Sequence, residues 1–381
     1  MITRPCYSNR DEVMRAPDFK DSLLTTAQVD RALQSAADNI DGELHRHFYP
    51  YDGTLYFSWP NYQYAEPWKL RLDRHDLQCL TLLQSPGNGG GSGGQAIPLW
   101  QVFLEPVNKW RGFCYTRIEL DRSSGATWNP GATPQHSVWA TGTWAFTADA
   151  DQVAVLASGV NASVTTLPLG NGALAGAGDV VIIGYGRGDA PFPAYPGTAG
   201  AIAPYVGERC IVQDKAAADT GLAQSGAGCS TAGMADNILA TTGDGTLNAG
   251  EVLLLDAERM LVEMITPAGA VVKRAWDGTV LAPHSGAEVW AYRNLTVLRG
   301  ELGTAAASWT EGTAVWKHRV PQLVADLSIA EASNQVAQEV ALYSRTVGTG
   351  EGASPAPGVA LIDKWDECRT RFGRKARSGA I

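Results

Sequence analysis

The 381-residue chain has no run of eighteen apolar residues, so no membrane-spanning helix and no membrane partner are expected. Its opening, MITRPCYSNRDEV, lacks the apolar core of a signal peptide, and export by that route is not expected. Six cysteines stand at 6, 79, 114, 210, 229 and 368 with no CxxC or metal-like spacing. That scatter in a large chain implies reduced, buried thiols. GxSxG and HExxH do not occur, and the Gly-Thr turns lack the lysine and helix of a phosphate loop. His45 and His47 make an HxH pair, which at i and i+2 on a helix points to two faces and suits no metal. His75, His136, His284 and His318 stand alone. Glu208-Arg209 and Glu258-Arg259 recur at matching places, which fits strand-edge ion pairs better than catalytic carboxylates. The Arg187-Gly-Asp189 tripeptide is read as chance. Several of the twelve tryptophans (59, 144, 290, 316) fall in strand-like segments, where core packing is the default. These features ask for no catalytic residues, metal or cofactor, and an enzyme is not expected.

What is present is an ordinary globular composition, 45% hydrophobic and 18% charged, with 42 glycines and 20 prolines for a turn-rich β portion. Net charge is −9, but Lys364–Ile381 alone holds six basic and two acidic residues, leaving −13 on the other 363. An acidic body with a basic tail suggests a tail that docks on something negative. A merely solvated terminus is the plain alternative.

Thr26 to Pro50 carries the clearest helical period, with Val29, Leu33, Ile40, Leu44 and Phe48 on one stripe. Thr25 and Thr26 can cap its start, and Tyr49-Pro50 is expected to stop it. The period returns from Val320 and again from Val359 to Phe372. Between these ends lie strand-like segments and two internal duplications. Gly178–Ile183 resembles Gly250–Leu255, and Gly207–Val212 resembles Ala257–Val262. Arg274–Thr279 aligns with Arg299–Thr304 at a period of 25, and Val289-Trp290 with Val315-Trp316 after one inserted residue. Each unit reads as strand, Gly-Thr turn and strand, packing beside its neighbour in one or two small barrels or sandwiches. The expected fold class is α+β, a small helical bundle from the N- and C-terminal helices with a large β-rich insertion containing duplicated strand units. The divisions are 1–50 helical, 51–146 first β region, 147–318 duplicated β insertion, 319–373 C-terminal helices and 374–381 basic tail.

Several stretches resemble head-to-tail adaptor (connector) proteins of long-tailed actinobacterial phages. They are Met1-Ile-Thr-Arg-Pro-Cys-Tyr, QVDRALQSAADNIDGELHRHFYP, LYFSWPNYQYAEPWKLRLD, TGTW, the Gly250–Trp290 region, TVLRGELGT and the C-terminal RTVGTGEG and FGRKAR. The similarity covers most of 1–146 and 236–381; the Gly87–Gly94 loop and residues 184–235 are elaborations on that pattern.

The resemblance implies a non-catalytic virion structural protein at the head–tail interface, assembled in the host cytoplasm. It would form a ring of twelve copies of itself, joining the portal protein to the next neck protein, a head-closure or tail-terminator protein. It would also line the channel through which genomic DNA passes without sequence specificity. An acidic wall suits sliding DNA, and a basic tail suits an acidic portal. Arg369, Arg371, Arg374, Lys375 and Arg377 are the expected portal-docking residues. Val29, Leu33, Ile40, Leu44, Leu327, Val336, Trp365 and Phe372 are the expected bundle core, with Ala32, Ala36 and Ala37 free for contact between copies. The rival readings are a carbohydrate- or surface-binding β module with exposed tryptophans in 270–318, and a tail or baseplate component.

Overall fold

The computed structural model describes residues 2–15, 25–59, 66–72, 75–85, 95–107, 113–129, 134–172, 174–186, 206–226, 229, 236–340, 346–347, 354–355 and 359–374. It corrects the expected fold class: the chain is mostly β, 39% strand against 21% helix, with four helices and large antiparallel sheets among the described residues. The helices are α1 (Arg10–Arg15), α2 (Thr26–Leu44), α3 (Gln322–Val340) and α4 (Val359–Phe372). They make a layer laid on β structure rather than a bundle carrying an insertion. The physical reason is that the helices do not cover their apolar stripes by themselves: residues of the β part complete the same clusters. Val29, Leu33, Ala36 and Val336 are buried with Ile211 and Ala177 of the β region. Ile40, Leu44, Phe48 and Leu327 are buried with Cys114 and Phe146 of the first β region and with Cys368 of α4.

Thr25 caps α2 in a reciprocal box with Gln28. The helix ends at Leu44, where His45 takes the left-handed conformation (φ 52°), five residues before the proline expected to stop it. Ala32, Ala36 and Ala37 are buried inside the chain. Ala36 shares a cluster with Ala332 of α3, so this small-residue face serves a contact within one subunit, where short side chains let two helices approach.

Residues 51–146 form the first β domain. It comprises β1 (Tyr51–Phe57), β2 (Lys69–Arg71), β3 (Leu77–Ser85), β4 (Gln95–Ala96), β5 (Val102–Glu105), β6 (Arg117–Leu120) and β7 (Val138–Trp144). Its two sheets, β1-β7-β3-β4 and β2-β6-β5, are linked where Leu77 bridges Tyr115, and they enclose Leu70, Leu77, Leu80, Ile118, Val138 and Trp144. Gly142 is required here: a Cβ would stand 2.0 Å from the Cys79 carbonyl oxygen.

The remaining strands are β8 (Ala150–Val155), β9 (Thr166–Pro168), β10 (Val180–Gly186), β11 (Val206–Gln224), β12 (Ile238–Leu239), β13 (Thr241–Gly243), β14 (Val252–Leu255), β15 (Glu258–Thr266), β16 (Gly269–Lys273), β17 (Glu288–Leu298) and β18 (Ala314–His318). They form two closed barrels that share two strands, the second inserted in chain order within the first. In barrel A the order β8-β18-β10-β11-β17 is closed by β9, which pairs with β17 and reaches β8 through the Leu156–Leu169 bridge. In barrel B the order β16-β15-β14-β17-β11 is closed by β12 on β16 and β13 on β11. The long strands β11 and β17 belong to both: β11 leaves barrel A to begin B, and β17 leaves B to complete A. Each barrel has its own apolar filling, Val181, Ile183, Val212, Val297 and Val315 in A and Leu253, Leu255, Val262, Val272 and Val289 in B.

The duplicated segments sit at equivalent places. Val181 lies opposite Lys317 as Leu253 lies opposite Ala291, and Ile211 opposite Leu298 as Leu261 opposite Lys273. A bulge interrupts the pairing before Trp316 and again at Asp219/Leu222 opposite Trp290 and Val289.

Candidate functional site

The most elaborate polar arrangements are two buried carboxylates, one per barrel. Glu208 opens β11's run in barrel A. It accepts Arg299 Nε and Nη2 at 2.5 and 2.6 Å, the backbone N–H of Gly300 and Ala307 at 3.1 and 3.0 Å, and Trp309 Nε1 at 2.8 Å. Glu258 opens β15 in barrel B. It accepts Arg274 Nε and Nη2 at 3.1 and 2.8 Å and the backbone N–H of Ala275 and Ala282 at 2.9 Å each; His284 Nε2 lies 2.9 Å away. The arginine in each case turns back to a carbonyl eight residues on, Ala307 or Ala282.

Burial pushes both carboxyls up. The arginine fork, with the Trp309 and Ala307 N–H groups for Glu208 and those of Ala282 and Ala275 for Glu258, outweighs it and holds both below the ordinary glutamate range. A carboxylate that accepts this many bonds is saturated, with no lone pair left for a substrate. These glutamates lock the loop from β17 to β18 in A and from β16 to β17 in B. The ion pair expected between sequence neighbours is corrected: each glutamate takes a distant arginine, because the adjacent side chain points to the other face of the strand. Arg209 pairs instead with Asp52 of the first β domain at 2.8 Å, and Arg259 donates to Tyr292 Oη at 3.1 Å.

The expected docking arginines are partly spent inside the chain. Arg369 donates to Glu43 at 3.0 Å and Asp366 at 3.2 Å and lies over the Trp365 ring. Arg371 is exposed and pairs with Glu367 one turn back. Arg374 is no part of an extended tail. It meets Asp76 at 2.5 Å, beside Arg46, and its backbone N–H donates to the Leu44 carbonyl at the end of α2. Lys375 and Arg377, like residues 187–205 and the Gly87–Gly94 loop, lie outside the described residues. Of the expected core residues, Val29, Leu33 and Val336 meet in one cluster and Ile40, Leu44 and Leu327 in another, with Trp365 and Phe372 half-buried against the second.

A small cleft of about 60 Å³ lies between α1, the start of α2, β11 and β15. It holds only a few waters, and its charges are spoken for: Arg10 pairs with Asp30 and Asp214, Lys215 with Asp11, and Arg15 with Asp277. Burial and the neighbouring Asp11 charge push Asp277 up. Asp11, half-buried, is raised by desolvation but brought below the usual range by Lys215. The network staples α1 to barrel B. Its members come from four elements and had no spacing signal in the sequence.

The HxH pair is off the helix. His45 is the cap of α2, and His47 sits past it with Nδ1 2.9 Å from Asp41, a bond that raises its pKa. No group of three metal-ligating side chains converges among the described residues. No protein-family model, curated protein or solved structure matches the chain.

Proposed function

We propose that the chain is a structural subunit of the virion neck, a head-to-tail adaptor that assembles as a ring between the portal and the next neck protein. The resemblance of its terminal segments supplies the class. The observation that carries it is the joining of those segments: α1 and α2 pack with α3 and α4. The helical layer is thus built from both chain ends, with Arg369 and Arg371 on the outer side of α4. In this reading the barrels are rigid bodies carried by that layer, and their buried carboxylates hold them shut.

The carbohydrate-binding alternative needs free tryptophans in 270–318. Trp309 spends its N–H on Glu208, Trp276 is met by Arg15 and Lys273, and Trp316 packs on Tyr185; of the four, Trp290 alone is left without such a partner, which does not make the exposed pair that reading needs.

Electron microscopy of the purified protein mixed with portal tests the proposal: a closed ring on one face of the portal is expected, and its absence sinks the reading. Because Arg374 is tied to Asp76, the portal-docking arm uses Arg369→Glu with Arg371→Glu rather than truncation at Gly373. Undiminished co-purification of that variant with portal would remove the docking role from α4.

A further inference from the structure

On the outer face of the β2-β6-β5 sheet, two arginines stand where sheet chemistry disfavours them. Leu70 and Ile118 point inward and are fully buried, so their neighbours Arg71 and Arg117 point outward. The register sets Arg71 directly opposite Arg117, and like charges so placed repel. Glu66 acts on both through space, but no nearby carboxylate bonds to either. Lys69 takes Glu66 at 3.0 Å and Glu119 at 3.5 Å. Glu105, opposite Arg117 on β5, accepts the Val107 N–H and forms no ion pair with Arg117. Among the described residues neither guanidinium has a hydrogen-bond or ion-pair partner, and the Nε of each is buried and unsatisfied. Two planar donor forks side by side, with no internal acceptor, are half of an oxyanion site.

We propose that Arg71 and Arg117 form a clamp for a carboxylate side chain of a second copy of this chain. Glu66, Glu105 and Glu119 flank the pair, and they would repel a nucleic-acid backbone carrying a charge about every 1.7 Å. A single carboxylate between the two forks avoids them. The chain supplies such groups freely, since all but its last eighteen residues carry −13. An arginine clamp on one surface that takes an acid from another is a heterologous contact, the kind that closes rings. The choice of a second copy as occupant rests on the ring reading above.

Sedimentation velocity at low and high salt, on wild type and on Arg71→Gln/Arg117→Gln, tests the clamp. Wild type should self-associate and dissociate with salt. The double variant should associate at least about tenfold more weakly, with a melting temperature unchanged or raised because a repulsion is gone. The single Arg117→Gln should fall between. Equal association of the variant, or a wild type monomeric throughout, overturns the clamp. So does binding of a short DNA duplex that the double variant loses, since the pair would then serve phosphates. Closed rings formed by the double variant on portal would sink the clamp and leave the ring reading. Salt-sensitive association lost in the variant, without any closed ring, would do the reverse.

Discussion

Barrels A and B use one lock with different closing parts, and the differences track what each barrel touches. Both loops place the same three positions in the left-handed region, Gly300, Leu302 and Gly303 in A and Ala275, Asp277 and Gly278 in B. In both, a threonine hydroxyl accepts the N–H of the residue after the glutamate, Arg209 to Thr304 and Arg259 to Thr279, at 3.0 Å. The carboxylate is closed by Trp309 in A and by His284 in B, where Asp256 holds the other ring nitrogen. At the loop tip, A offers the Leu302 carbonyl to the Asp52 N–H of the first β domain, while B offers the Asp277 carboxylate to Arg15 of α1. The lock is the constant part; its tip is the joint to a neighbour.

Nesting makes the two barrels unequal. Barrel B is built from one continuous stretch, whereas A takes β11 and β17 from either side of it. If B opens, A must hold those strands across a loop of roughly 80 residues, at about 4 kcal/mol of closure entropy. Arg274→Ala is therefore expected to have the largest effect. It leaves Glu258 buried without its arginine, costing about 3–5 kcal/mol in B, and weakens A through the lost connection. Arg299→Ala should cost a similar amount in A while sparing B. Chemical denaturation followed by barrel-specific tryptophans reads both.

Acid sharpens the contrast at one matched position. His318 in A corresponds to Tyr292 in B. Its Nε2–H donates to the Phe48 carbonyl at 2.6 Å, and burial depresses its pKa to about 4. A depressed pKa stabilises the fold above the unfolded value near 6.5. That contribution, about 3 kcal/mol for this shift, is lost as pH falls through about 4. Replacing His318 by Gln should flatten the stability of A across that window and leave B unchanged.

Smaller effects follow at the tips. Gly303→Ala meets a positive φ of 81° and a Cβ 2.0 Å from the Asp52 carbonyl oxygen, and should cost clearly more than the roughly 1–2 kcal/mol of left-handed strain alone. Trp309→Phe removes one donor to a charged acceptor and should cost about 1.5–3 kcal/mol by thermal melts.

The stripe of α2 and the duplicated segments were legible because helical period and local repetition are written in consecutive residues. The nesting was not. Shared strands reverse the order of the copies, so the lock loop of B precedes that of A, and the pattern reads as a tandem repeat. Nor were the lock partners: Glu208 and Arg299 are 91 residues apart, and the adjacent Arg209 offered a false match. The helical stripes suggested a bundle because a stripe does not say whether a helix or a sheet will cover it. Arg71 and Arg117 carry no spacing signal at all; only strand register brings them together.

Hydrogen exchange on Arg299→Ala tests the nested architecture most directly. The account predicts that amides of β8, β10 and β18 lose protection while those of β14, β15 and β16 keep it. Equal loss of protection in both sets would show one cooperative β body and contradict the account.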